Sequence, residues 1–113
     1  MKGVVALIRG ACEQFKFKIP YTFEQLDKIE ITFQQKKNDG SVLTIIKTKT
    51  DCTATHAKSQ TVYTKLTQEE TLQFATDTKA EVQWRALTTD GFPFSSRIKK
   101  ITVYPTLSET ILS

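Results

Sequence analysis

Apolar and polar residues change places one by one along three stretches of this chain, and a period of two commits a segment to a strand with one buried face. Over residues 14–19, Phe15, Phe17 and Ile19 alternate with Gln14, Lys16 and Lys18. Over residues 28–34, Ile29, Ile31 and Phe33 oppose Lys28, Glu30, Thr32 and Gln34. Val82, Trp84 and Ala86 then alternate with Glu81, Gln83 and Arg85, opening a strand–turn–strand unit over residues 81–103. A helix would need its apolar residues three and four apart, so these stretches predict strands.

Turn chemistry divides the strands. Pro20 ends the first, because proline cannot donate to a ladder. Asn38-Asp39-Gly40 tolerates positive φ and predicts a hairpin into a strand over residues 42–48. In that strand Val42-Leu43 and Ile45-Ile46 place apolar residues on both faces, which predicts a strand covered on both sides. Residues 51–59 lack periodicity and read as a loop, and a further strand is expected over residues 61–66. Thr67-Gln68-Glu69-Glu70 is a capping box, with acids in the first turn of a short helix over about residues 67–75, Leu72 and Phe74 on its inner side. Asp90-Gly91 supplies the last turn, in a loop that includes Phe92-Pro93-Phe94. Ile98 and Ile101 cannot share a face of an unbroken strand, so a bulge near Lys99-Lys100 is expected. About seven short strands with turns between them predict an all-β, immunoglobulin-like antiparallel β-sandwich in which Trp84 is a core aromatic. The 113 residues fit one domain; Val4 to Ile8 reads as a short strand or as part of an N-terminal arm (residues 1–10), and residues 104–113 as a C-terminal tail.

Seven Phe, three Tyr and abundant Thr agree with a strand-rich core. The net charge of +4 raises the question of an anionic partner, but the lysines are dispersed along strands, with Lys36-Lys37 and Lys99-Lys100 the adjacent pairs. That pattern describes solvated sheet faces better than a nucleic-acid groove. Cys12 and Cys52 make no CxxC or metal spacing, and no disulfide is expected. The apolar run from Gly3 to Ile8 is too short for a signal peptide or a membrane span, so a soluble cytoplasmic product with no membrane partner is expected.

Catalytic equipment is not evident. His56 is the single histidine; it lies in the expected loop, and its spacing from Cys52 offers no third, orienting group. Glu69-Glu70 is explained by capping, and four glycines leave no phosphate-cradling motif. No enzyme, metal or cofactor is expected. Two sets of residues remain for binding. Val4, Val5, Leu7 and Ile8 at one end, with Leu107, Ile111 and Leu112 at the other, are candidates for an assembly surface. Tyr21, Phe23, Phe92 and Phe94 are candidates for a binding surface at a loop end, or for plugs of a small core.

Residues 66–74 (Leu-Thr-Gln-Glu-Glu-Thr-Leu-Gln-Phe), residues 81–91 (Glu-Val-Gln-Trp-Arg-Ala-Leu-Thr-Thr-Asp-Gly), Ser95-Ser96, Ile101-Thr102-Val103 and the opening Arg9-Gly10 together resemble a family of small proteins. Members are encoded in the structural modules of tailed phages and prophages of Gram-positive bacteria. In outline the chain is also similar to the N-terminal immunoglobulin-like domain of siphophage upper-baseplate proteins. The resemblance implies a virion component, in a tail, baseplate or other particle accessory, made in the bacterial cytoplasm and then built into the particle. Its implied partners are other virion proteins or copies of itself. It carries no functional residues, because the matching positions serve the fold. The readings set against it are a carbohydrate- or host-surface-binding module using the loop aromatics, and a small basic nucleic-acid-binding protein.

Overall fold

The computed structural model describes residues 6–112. Within them the chain forms nine strands: β1 (Ala6–Ile8), β2 (Glu13–Lys18), β3 (Leu26–Lys36), β4 (Val42–Thr48), β5 (Cys52–Thr53), β6 (Thr61–Leu66), β7 (Ala80–Thr88), β8 (Pro93–Ser95) and β9 (Lys99–Tyr104). A five-residue helix, α1 (Gln68–Leu72), joins β6 to β7, and 3-10 turns cover Phe23–Gln25 and Lys49–Asp51. The strands make two sheets. The larger runs β1-β9-β7-β3-β4, with β8 beside β7, and the smaller runs β2-β6-β5. This is an all-β sandwich with the strand order of an immunoglobulin-like domain.

The alternation read from the sequence is what closes the two sheets on each other. Ile29, Ile31 and Phe33 of β3 and Val82, Trp84 and Ala86 of β7 face Phe15 of β2 and Val62 and Leu66 of β6 across one core. The Phe15 and Phe33 rings meet at 5.0 Å, tilted by 56°, and tie the sheets at their centre. Each Val, Leu, Ile or Phe among them, fully buried, contributes roughly 1.5–3 kcal/mol.

Local rules place the connections. Gly10 takes φ +84° in a turn closed by the Ala11 N–H donating to the Ile8 carbonyl (3.2 Å), and this turn carries the chain from the large sheet to the small one. Asp39 accepts from the Ser41 N–H (2.9 Å) and hydroxyl (2.6 Å), so the β3–β4 hairpin forms where Asn38-Asp39-Gly40 predicts it. The capping box is present in full: Thr67 Oγ1 accepts from the Glu70 N–H (3.2 Å), and Glu70 Oε1 accepts from the Thr67 N–H (2.9 Å). Thr71 and Phe74, with Leu72 only half-buried, form the inner side of this turn.

Six expectations need correction. Of the two readings of the first apolar segment, Ala6–Ile8 takes the strand, β1, but it pairs parallel to β9, so the sandwich is not wholly antiparallel. The strand count rises above seven because β1, β5 and β8 are only two or three residues long and too short to show a period. The expected loop over residues 51–59 begins with the last residue of a 3-10 turn and then β5. Phe92-Pro93-Phe94 is not all loop, since Pro93 and Phe94 belong to β8. No bulge interrupts β9: its register on β7 is regular from Lys99 to Ile101, and the parity slip arises because Ile98 precedes the strand, in a break over residues 96–98. There Ser96 Oγ accepts from the Trp84 N–H at 3.1 Å, and the Ser96 N–H donates to the Trp84 carbonyl. The sixth correction has the widest consequence. β4 is not covered on both faces; it is an edge strand whose outer residues Val42, Thr44, Ile46 and Thr48 are exposed.

Candidate functional site

The four loop-end aromatics separate into plugs and one exposed ring. Tyr21 and Phe94 meet at 4.8 Å, tilted by 52°, and Trp84 meets Phe94 edge-on at 5.4 Å, so these rings close one end of the core. Phe23 packs against the same core and lies under the Lys49 ammonium, 4.9 Å from the ring centre. Phe92 alone stands out to solvent, 54% exposed, stacked over Phe94.

The terminal residues divide in a similar way. Leu7 is fully buried in the core and presents no surface. Ile8 is exposed, opposite Tyr104 in the β1–β9 register, so the two share the outer face at one margin of the large sheet. Val4 and Val5 lie outside the described residues. Leu107, Ile111 and Leu112 are exposed, although the Leu112 backbone and the Glu109 side chain are tied down. Arg9 donates to Glu109 (2.9 Å) and to the Leu72 carbonyl (2.9 Å), while the Gln68 amide clamps Leu112 by giving and accepting one hydrogen bond each (2.7 and 2.9 Å). The tail therefore lies along α1 with its apolar side chains turned outward.

Cys12 and Cys52 are both free, and burial pushes the Cys52 thiol up, away from the thiolate that nucleophilic chemistry requires. His56 is exposed. Among the described residues no three His, Cys, Asp or Glu side chains gather at one point. The lysines are shared between opposite faces of the sandwich: Lys16, Lys18 and Lys65 on the small sheet, Lys28, Lys36 and Lys100 on the large one. The net positive charge is thus spread and makes no single groove.

Two features of the large sheet were not singled out by sequence. One is an open groove of about 690 Å³ whose lining includes Lys28, Glu30, Thr48, Arg85, Leu87 and Pro93. The alternation marks these positions only as outward-facing; that the sheet bends around them depends on its twist. The other is the β4 edge. Lys47, on its inner face, donates to both carboxylate oxygens of Glu70 (3.0 and 2.8 Å). Burial pushes the Glu70 carboxyl up, but the Lys47 hydrogen bonds and the Thr67 N–H outweigh it and hold the group below its ordinary value. At the end of the strand the Thr48 N–H donates to Asp51 (2.9 Å). Behind it, Gln35 is buried with its amide fully engaged, donating to the carbonyls of Ala75 (2.8 Å) and Thr78 (3.0 Å) and accepting from the Ala75 N–H (2.7 Å). Parity with Phe33 is the signal that would have placed Gln35 inside.

No protein-family model matches the chain, and no curated protein matches it in sequence.

Proposed function

We propose that this chain is a non-catalytic structural or accessory protein of a tailed-phage or prophage particle, working through protein–protein assembly. The observation that carries the assembly role is where the exposed apolar residues fall. Val42 and Ile46 stand at one margin of the large sheet and Ile8 and Tyr104 at the other, with Leu107 and Leu112 on the strapped tail. Apolar residues at sheet margins suit contact with other protein surfaces, since a ligand pocket gathers them around a cavity instead. The phage assignment is supported by the resemblance of the Arg9-Gly10, α1 and β7–β9 segments to structural-module proteins.

Imaging of purified particles with a label on this protein tests the reading. Label at a fixed position on the particle is the expected result; protein found only in the lysate contradicts it. A second reading, a carbohydrate- or host-surface-binding module, is favoured by the exposed Phe92 ring next to β8, which lines the groove. Glycan binding that disappears on Phe92→Ala would move the balance to that reading.

A further inference from the structure

The β4 edge is seven residues long and contains neither proline nor glycine. Native edges are normally shortened, bulged or charged, because a bare strand is a template for another chain. The usual deterrents are absent from the outer face of β4, which shows Val42, Thr44, Ile46 and Thr48. An inward-pointing lysine is one such deterrent, and Lys47 has that position, but Glu70 already meets its charge at 2.8 Å. Pairing at that edge would set the exposed β-branched residues Val42 and Ile46 beside the side chains of a second strand, although the outer face of the sheet would stay open.

The backbone says how that second strand pairs. Lys37 and Ser41 close the hairpin with the Lys37 N–H donating to the Ser41 carbonyl at 2.9 Å. Hydrogen-bonded and non-bonded pairs alternate from there along the antiparallel ladder. Gln35–Leu43, Phe33–Ile45 and Ile31–Lys47 are therefore the bonded pairs, and Val42, Thr44 and Ile46 turn their N–H and C=O groups to the open side. Thr48 also faces that way, but its N–H is taken by Asp51.

We infer that a second copy of this chain occupies the edge, β4 against β4 and antiparallel, about a two-fold axis at Thr44. This pairing rests on the assembly role proposed above and names the partner. In this register Thr44 faces Thr44 of the second copy, and Val42 faces Ile46 in both directions. The pairs form about six backbone hydrogen bonds and place β-branched residues opposite one another. No like charges come face to face, and Lys47 falls opposite Ser41. An isologous contact of this kind closes on itself and gives a dimer with a continuous ten-stranded platform from two five-strand orders, without open-ended growth.

The test uses the full chain with Cys12→Ser, so that the exposed native thiol does not contribute. Thr44→Cys should form a disulfide-linked dimer under mild oxidation, because bonded cross-strand pairs lie within disulfide reach. Gln14→Cys, on the lysine-bearing β2 edge, should not. Sedimentation supplies a second, independent reading. Val42→Lys with Ile46→Lys places lysines opposite lysines and should weaken the dimer by at least about tenfold, while Val42→Lys with Ile46→Glu places opposite charges together and should restore it. All these substitutions are at exposed positions. A monomer at every concentration, with Thr44→Cys no more readily linked than Gln14→Cys, overturns the inference; so does a dimer indifferent to both charge pairs. Either failure leaves particle labelling free to succeed, and a dimer that never appears on particles leaves the pairing intact, so the two proposals fail separately.

Discussion

The β2 edge of the small sheet and the β4 edge of the large one are of similar length, six residues against seven, yet they present opposite chemistry to solvent. β2 carries Lys16 and Lys18 on its outer face, so a second copy laid along it antiparallel about Lys16, Phe17 or Lys18 would bring lysine opposite lysine. β5, the other edge of that sheet, is only two residues long and offers almost no ladder. β1 is three residues long and turns away at Gly10. β4 has none of these protections. The difference teaches that an edge is read by what stands on its outward face, because both strands bury equally ordinary apolar residues inward.

The largest effect should come from removing what holds the two edges in one molecule. Phe33→Ala deletes the ring that meets Phe15 between the sheets, and should cost about 3–5 kcal/mol of unfolding free energy by denaturant titration. A loss under about 1 kcal/mol would show that β3 does not anchor β4 as described. Next is Gly10→Ala, which forces a side chain into φ +84° at the β1–β2 turn and should cost about 1–2 kcal/mol. An unchanged midpoint would mean that the turn relaxes freely and does not set the end of β1.

Acid should act on β4 through Glu70. Its folded carboxyl titrates below the ordinary value of 4.5, so the stability it contributes is complete above that pH. It is lost as pH falls through the lower, folded value, when protonation removes the charge that Lys47 faces. Glu70→Gln should be less stable at neutral pH and show a shallower decline in that acid window; a parallel decline would assign the acid sensitivity to other carboxylates. The smallest effect is expected from stripping β2 of its charges. Lys16→Thr with Lys18→Thr should leave the fold intact and raise self-association slightly at high protein concentration, measured by light scattering. No change would mean that length or shape, and not lysine, protects that edge.

Much of the fold was legible from local chemistry. β4 and β6 begin and end where turn residues and alternation place them, and the Thr67–Glu70 box forms as its spacing requires. What escaped is non-local. Alternation in β4 reports apolar residues on both faces, but the strand order that leaves β4 at an open edge is set by pairing across the whole chain. The parallel seat of β1 on β9 brings together residues almost a hundred positions apart, as Leu7 and Val103 do, and no periodicity encodes it. The candidate site was legible in part for the same reason. Phe92 and the tail leucines are exposed as their loop and terminal positions suggest, whereas Leu7 vanishes into the core and Tyr21, Phe23 and Phe94 close its end.

Amide hydrogen exchange resolved by residue tests the central claim most directly. The amides of Val42, Thr44 and Ile46 face the open side of β4 and have no partner strand among the described residues. If β4 pairs with a second copy, their exchange should slow as protein concentration rises, by the factor that the dimer population sets, while the open-edge amides of β2 stay fast. Fast exchange at Val42, Thr44 and Ile46 at every concentration, in a sample that sediments as a dimer, would contradict it and move the contact to another surface.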